Sequence, residues 1–574
     1  MKARKHWQSL LLVIGLAGAI ASCKHRNPDV PPQPKVVSVT NIDPATAPAG
    51  STIVVTGTNF NSDPASNTVL IGGVPATVVS ATGTQLVIVV PSGASGPVSV
   101  SANGQTAQST ATFTVANRPT REITKEVRRN ATWKKDTVYI LRGLVYIPDG
   151  FTLTIEPGTI IKGAAKEQDP EGKNLAGTLI VERGGKLNAV GTATQPIVFT
   201  STKPAGQRAH GDWGGIVLIG KAPQNRPGST LYAGGIRGNV ETYNQPEDNS
   251  GTLKYVRIEF AGATQPTADS RLNGLTMYGV GYNTTIDHIQ VSYSGADSYA
   301  WFGGGVNMKY LVSFRSTDDD WSSDRGYTNK AYSNIVQPGP GGKVQFGVAL
   351  RDPDVADPSG ANAIESQNFD GEGTNAGGAP LTSQNGLPQT APIFANISSF
   401  AFGTTPVATP RARGGVYQAG MYLRGNTAIS VYNSVFIGYP EGLHIDDAPT
   451  FANATANELD LKGVVIANTL SPLVGKNGVS NDQVSTYFAS GQTSRSNTVV
   501  TDVASLLLNA STFNLQSPNF LPVTGSPLLT GAVTTGKIAD TEKFFDKVNF
   551  RGAFGTENWL QGWTNFNPQT ADYQ

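Results

Sequence analysis

The densest group of side chains able to do chemistry is the stretch STDDDWSSDRGYTNK. Asp318, Asp319 and Asp320 stand in a row there, followed by Trp321, Asp324, Arg325 and Tyr327. Carboxylates crowded into a turn repel one another unless a cation or an arginine neutralises them. Two chemistries suit the pattern. The hard oxygens of Asp318, Asp319, Asp320 and Asp324 would hold Ca²⁺, and Trp321, with Arg325 and Tyr327, would present a stacking and hydrogen-bonding surface to a carbohydrate. The plainer alternative is a solvated acidic loop in which Arg325 pairs with Asp324. Read as an exposed turn, the run is expected to bind Ca²⁺ only at roughly 10⁻⁴ to 10⁻³ M. A second acidic stretch carries Asp352, Asp354, Asp357, Glu365, Asp370 and Glu372. Its ligand spacing is not that of an EF-hand loop.

Other chemistry is excluded by what is missing. His6, His25, His210, His288 and His444 are scattered with no H-E-x-x-H pair, and the single cysteine, Cys23, cannot build a Cys-rich zinc site. No G-x-S-x-G elbow, Walker A loop or complete G-x-G-x-x-G follows a strand. With 43 Lys+Arg against 42 Asp+Glu, the net charge of +1 gives no field to hold nucleic acid, so no nucleic-acid partner is expected.

The elements that must position these residues are strands. The 574 residues include 65 Gly and 36 Pro, and apolar residues come in short runs between turns, which argues against a helical protein. From residue 35 to 117, seven short β segments (Val36–Ile42, Thr52–Thr56, Thr68–Ile71, Thr77–Ser80, Gln85–Val90, Val98–Ser101 and Ala111–Val115) predict a β-sandwich. Beyond residue 120 the chain repeats itself. LKYVRIEFAGA (Leu253–Ala263), IDHIQVSYSGA (Ile286–Ala296) and MKYLVSFRSTD (Met308–Asp318) align without gaps, and the cadence returns at Ile393–Gly403, Ile429–Gly438 and Leu461–Thr469. Repeats that cannot bury an apolar face alone must stack, so residues 120–574 are expected to form a right-handed parallel β-helix. The aromatic segment Phe544–Pro568, with Trp559 and Trp563, is expected to cap the last coil.

Several motifs carry resemblances. Lys2, Arg4 and Lys5 precede an apolar run of about eleven residues that closes on Ile20-Ala21-Ser22-Cys23. This resembles a bacterial lipoprotein signal, which implies removal of residues 1–22, lipidation of Cys23 and a Pro-rich spacer over 23–34. By the same resemblance, to Bacteroidetes-type lipoproteins, the protein would be anchored in the outer membrane, on a face the sequence leaves undecided. The segment IDPATAPAGSTIVVTGTNF through ATFTV resembles an IPT/TIG domain, an immunoglobulin-like spacer or binding module.

LTIEPGTIIKG is similar to the opening coils of pectate-lyase-like β-helices. Polygalacturonase-type hydrolases are not matched, since Ser316-Thr317-Asp318 only approaches their N-T-D and neither G-H-G nor R-I-K is present. The phrase IDHIQVSYSGAD, with Asp287, His288 and Asp297, resembles the I-D-H coil of pectate lyases, and TPRARGG places Arg411 and Arg413 where they carry an arginine segment. That likeness implies a Ca²⁺-dependent polysaccharide lyase acting on uronates through Asp297, Arg411 and Arg413. The leading expectation is instead a non-catalytic, lipid-anchored envelope protein that binds a glycan or an envelope protein.

Overall fold

The computed structural model describes residues 36–573 apart from 92, 227–231, 239–242, 267–270, 329, 331–339, 356–359, 369–385, 405, 407–415, 490–494 and 540–542. The signal segment, Cys23, the Pro-rich spacer, Arg411, Arg413, Asp357, Asp370 and Glu372 lie outside the described residues. Two compact units result. In the first, the strands Ser38–Asp43, Thr52–Thr58, Asn67–Ile71, Val74–Ala81, Gln85–Val89, Gly96–Ala102 and Gln105–Val115 pair antiparallel. Thr52–Thr58 shows why they are strands: Ile53 and Val55 point into the core while the threonines face out. Gly72 and Gly73, both at positive φ, close the tight turn between Asn67–Ile71 and Val74–Ala81.

The second unit is a parallel β-helix whose coils stack in three ladders. In one, Leu253, Ile286, Met308, Val344, Phe394, Val431 and Leu461 lie directly above one another. In the next, Val256, Ile289, Leu311, Gly347 and Ile397 are in register. The third aligns Leu275, Tyr299, Trp321, Ile364, Met421, Leu443 and Leu473. These columns form one continuous buried core. The three repeats read from the sequence are therefore adjacent coils in register.

The coil strand Lys343–Leu350 escaped the sequence reading because Gly347 interrupts its apolar pattern. A Cβ there would come within 3.0 Å of Trp321 Cζ2, so the indole fills the space that a larger residue would occupy.

Between the first two ladders each coil turns on a residue in the left-handed region. The occupants are Tyr255, His288, Tyr310 and Phe346, followed by Asn396 and Asn433. Asparagine tolerates that conformation, whereas aromatic residues need compensation. Stacking supplies it: ring centroids are 4.4 Å apart for Tyr255–His288, 4.4 Å for His288–Tyr310 and 5.2 Å for Tyr310–Phe346.

The expected terminal cap is corrected. The end of the core is closed by the helix Asn481–Ala489, which places Val484, Tyr487 and Phe488 on the last coils. Ser480 and Gln483 exchange reciprocal side-chain and backbone hydrogen bonds at its start, a capping box. The aromatic C-terminal segment runs back along the flank of the coils. Side-chain amides clip it down as strand backbone would: Asn433 exchanges two hydrogen bonds with the Val533 backbone, Gln345 with Asp546, and Gln290 with Asn565. Trp559 and Trp563 cover the aromatic corner, and Tyr573 donates to buried Glu259 at 2.7 Å. Its hydroxyl also accepts from Asn565 Nδ2 at 3.2 Å, and the guanidiniums of Arg208 and Arg257 lie 4.9 and 5.9 Å from the ring centre.

Tyr573→Phe removes one donor from a buried carboxyl whose proton affinity burial has already raised. It should lower stability to urea by about 1–3 kcal/mol. An unchanged midpoint would show that the chain end does not fasten the flank.

Candidate functional site

The acidic run sits where a coil turns into the third ladder, and that position repeats on neighbouring coils. Each coil has a backbone N–H at this corner that needs an acceptor from the coil before it. Asn273 Oδ1 accepts from Asp297 N at 3.1 Å, Asp297 Oδ1 from Asp319 N at 3.2 Å, and Asp319 Oδ1 from Asn362 N at 2.8 Å. Asn362 Oδ1 accepts in turn from Ala419 N at 3.0 Å. The corner is therefore a ladder of short side-chain oxygens that Asn and Asp serve equally well. Charge at 297 and 319 is more than the ladder requires.

Asp318 joins these two, and carboxylate oxygens of Asp297, Asp318 and Asp319 lie within 4.8 Å of one another. Arg271 approaches Asp318 at 3.2 Å. Burial first, then the charges of Asp318 and Glu365, push the Asp297 carboxyl well above the usual range, with Arg271 opposing. Asp319 is pushed up by burial, then by the charges of Glu365, Asp318 and Asp297. A buried carboxyl crowded by like charges keeps its proton or gives it up to a cation. Three oxygen donors at this spacing suit a hard cation such as Ca²⁺.

Several expected site residues stand elsewhere. The run is not an exposed turn, since Asp318, Asp319 and Asp320 are 7%, 2% and 1% exposed. Asp320 points away from the cluster to fully buried Arg351, 3.0 Å away, and accepts from Ser313 at 2.6 Å. Arg351 also donates to the backbone carbonyls of Asp318 and Asn362, so the pair fixes the turn from beneath.

Asp324 lies on the outer side of the third ladder beside Arg325, its carboxyl raised by burial and held down by that guanidinium. Neither Asp320 nor Asp324 faces a common ion. Trp321 and Tyr327 are wholly buried: the indole fills the core, and the Tyr327 hydroxyl donates to Val306 O at 2.8 Å. Neither offers a face to a sugar. Arg325 lies over the Phe302 ring at 4.5 Å. His288 belongs to the stacked aromatic corner, away from this turn.

Of the side chains that extend the site, the sequence reading singled out Glu365, in the second acidic stretch, and not Ser322, Tyr422 or His444. Ser322, Glu365, Tyr422 and His444 occupy one outward row of the third ladder on successive coils. Glu365 pairs with Arg424 at 2.8 Å, and Arg424 lies over the Tyr422 ring at 5.2 Å. Tyr422 donates to Asp446 at 2.6 Å, and its ring meets that of His444 at 4.8 Å. A polar strip thus leads from Arg271 and the carboxylate corner along the third face to His444. It could hold a cation at one end and hydrogen-bond a hydroxyl-rich ligand along its length.

Because Asp297 and Asp319 bind their protons more tightly in the folded state, folding gains from them while they are protonated. That contribution is lost as pH rises from about 4 through their raised folded values. In chelator, Asp319→Asn keeps the ladder acceptor and removes the charge. It should raise the pH 7 melting midpoint by roughly 1–3 °C, the scale of about 1 kcal/mol in a large domain, and flatten the fall in stability as pH rises above about 4. A lowered midpoint at pH 7 would contradict a charge surplus at this corner.

Residues 124–507 match the family described as Pectate-lyase like beta helix domain, and residues 38–115 match the IPT/TIG domain. No curated protein matches the chain. Among solved structures, an auxiliary nutrient binding protein from Bacteroides ovatus is 30% identical over 15% of this chain and 22% of its own, with a TM-score of 0.15. One of the same description from Bacteroides thetaiotaomicron is 29% identical over 14% and 21%, with a TM-score of 0.14. The chain thus spans about a fifth of the length of each.

Proposed function

This chain belongs to the pectate-lyase-like β-helix family, and on that premise we propose that it is a non-catalytic, lipid-anchored envelope protein that binds a glycan along its third face, with Ca²⁺ at Asp297, Asp318 and Asp319. The observation that carries this reading is the substitution pattern of the corner ladder. Where the coil needs only an acceptor, Asn273 and Asn362 provide it, yet Asp297 and Asp319 bring charge into the same role beside Asp318. Buried like charges of this kind cost stability unless a cation compensates them. Glu365, Arg424 and Tyr422 then supply the bidentate and hydroxyl contacts that sugars accept.

The second reading is a Ca²⁺-dependent lyase, and the meeting of Asp297 with Asp318 and Asp319 is what favours it. Lyase chemistry also needs a group free to take a proton. Of the arginines beside this site, Arg271 is engaged with Asp318 at 3.2 Å and Arg424 with Glu365 at 2.8 Å. Binding is therefore the better supported reading.

The remaining elements of the proposal rest on the sequence: attachment through Cys23 to the outer membrane, with the Pro-rich spacer lifting the body off the lipid. Cys23→Ala should abolish incorporation of a palmitate label and release the protein from the detergent phase. Normal labelling of the variant would sink the anchor.

Ca²⁺ in excess of its dissociation constant should raise the melting midpoint of the wild type by mass action. The Asp297→Asn, Asp319→Asn double variant should show no Ca²⁺ increment. Pectin or alginate incubated with the Ca²⁺-loaded protein should yield no ultraviolet-absorbing unsaturated uronate. A melting curve indifferent to Ca²⁺ would overturn the cation site, and accumulating unsaturated product would replace binding by lyase activity.

A further inference from the structure

At the far end of the polar strip, His444 is nine-tenths buried, with 6% of its side chain exposed. Its Nδ1 lies 2.7 Å from Glu441 Oε2. A carboxylate can only accept, so Nδ1 carries the proton and, in the neutral ring, Nε2 carries the lone pair. That Nε2 is buried and has no hydrogen-bond partner. An unmet buried nitrogen is costly and calls for an explanation such as a water or an ion.

The group nearest in kind is the Asp446 carboxylate, with Oδ1 3.9 Å from Nε2. Asp446 is itself held in place, since Oδ2 accepts from Tyr422 at 2.6 Å and Oδ1 from Asn477 at 2.6 Å. Its side chain is 14% exposed.

We propose that His444 Nε2 and Asp446 Oδ1 are the protein ligands of a second divalent-metal site, of the Zn²⁺ class, separate from the carboxylate corner. An imidazole nitrogen and a carboxylate oxygen suit a borderline metal and would serve Ca²⁺ poorly. A small rotation of either side chain brings two donors 3.9 Å apart to the spacing of adjacent ligands around Zn²⁺. Both have the supporting partners that metal ligands characteristically have: a carboxylate behind the histidine and hydrogen bonds to the carboxylate. Water or a bound ligand completes the coordination. Three coil steps separate the corner from His444, roughly 14 Å at the spacing of paired strands, so the two ions would not share a ligand. The site stands whether or not the Ca²⁺ and glycan reading holds.

The test is Zn²⁺ titration of the full chain by calorimetry at pH 7 with Ca²⁺ saturating. The wild type should bind one Zn²⁺ more than His444→Ala. Glu441→Gln should weaken that ion by about tenfold or more. Asp446→Asn should weaken it as well, which keeps the test available if His444→Ala does not fold. Asp297→Asn should leave it unchanged, and X-ray absorption of the Zn²⁺-loaded wild type should show one imidazole among oxygen neighbours. Equal Zn²⁺ binding by wild type and His444→Ala, or no binding by the wild type, would overturn the site.

Discussion

Everything on the third face follows from the need of each coil to have its corner amide met by the coil before it. A parallel β-helix satisfies its strands automatically, because each pairs with the strand above and below. At the corners the backbone leaves that pattern, and a buried N–H there must find a side-chain oxygen. The ladder Asn273, Asp297, Asp319, Asn362 meets the need at one corner for four successive amides. It also concentrates short polar side chains along one edge of the solenoid, and the strip from Arg271 to His444 grows from that edge.

The buried pair of Arg351 and Asp320 holds this arrangement from inside. Removing two charges from water is costly, and such a pair is weak evidence for net stability. Its geometry suggests specificity instead. Arg351 reaches the carbonyls of Asp318 and Asn362, so one guanidinium fixes the turn that brings Asp318 and Asp319 to the corner beside Asp297. Asp320 is occupied by Arg351, Ser313 and Ser399, and one member of the acidic run is thereby committed to structure while its neighbours face the corner.

The sequence made the coils legible because the apolar columns repeat: Leu253, Ile286 and Met308 are both the aligned letters and the stacked side chains. It hid the burial of the acidic run, because the arginine that neutralises Asp320 is Arg351, which enters from another coil. Trp321 read as a sugar platform for its company of charges, but alternation along its strand turns it inward beneath Gly347. Trp559 and Trp563 read as an end cap because aromatic clusters cover apolar surface; which surface depends on amide clips spaced over hundreds of residues. Glu441, His444 and Asp446 lay in plain sight, and only the register with Tyr422 makes them a group.

The central claim is that charge at Asp297 and Asp319 exists for a cation, and that the proton burial favours on the Asp319 carboxyl leaves when the cation arrives. Calorimetry of Ca²⁺ binding at pH 7 in buffers of different ionisation enthalpy counts that proton directly. The account predicts net proton release by the wild type and none by Asp319→Asn. Ca²⁺ binding without proton release, or no binding at all, would contradict it.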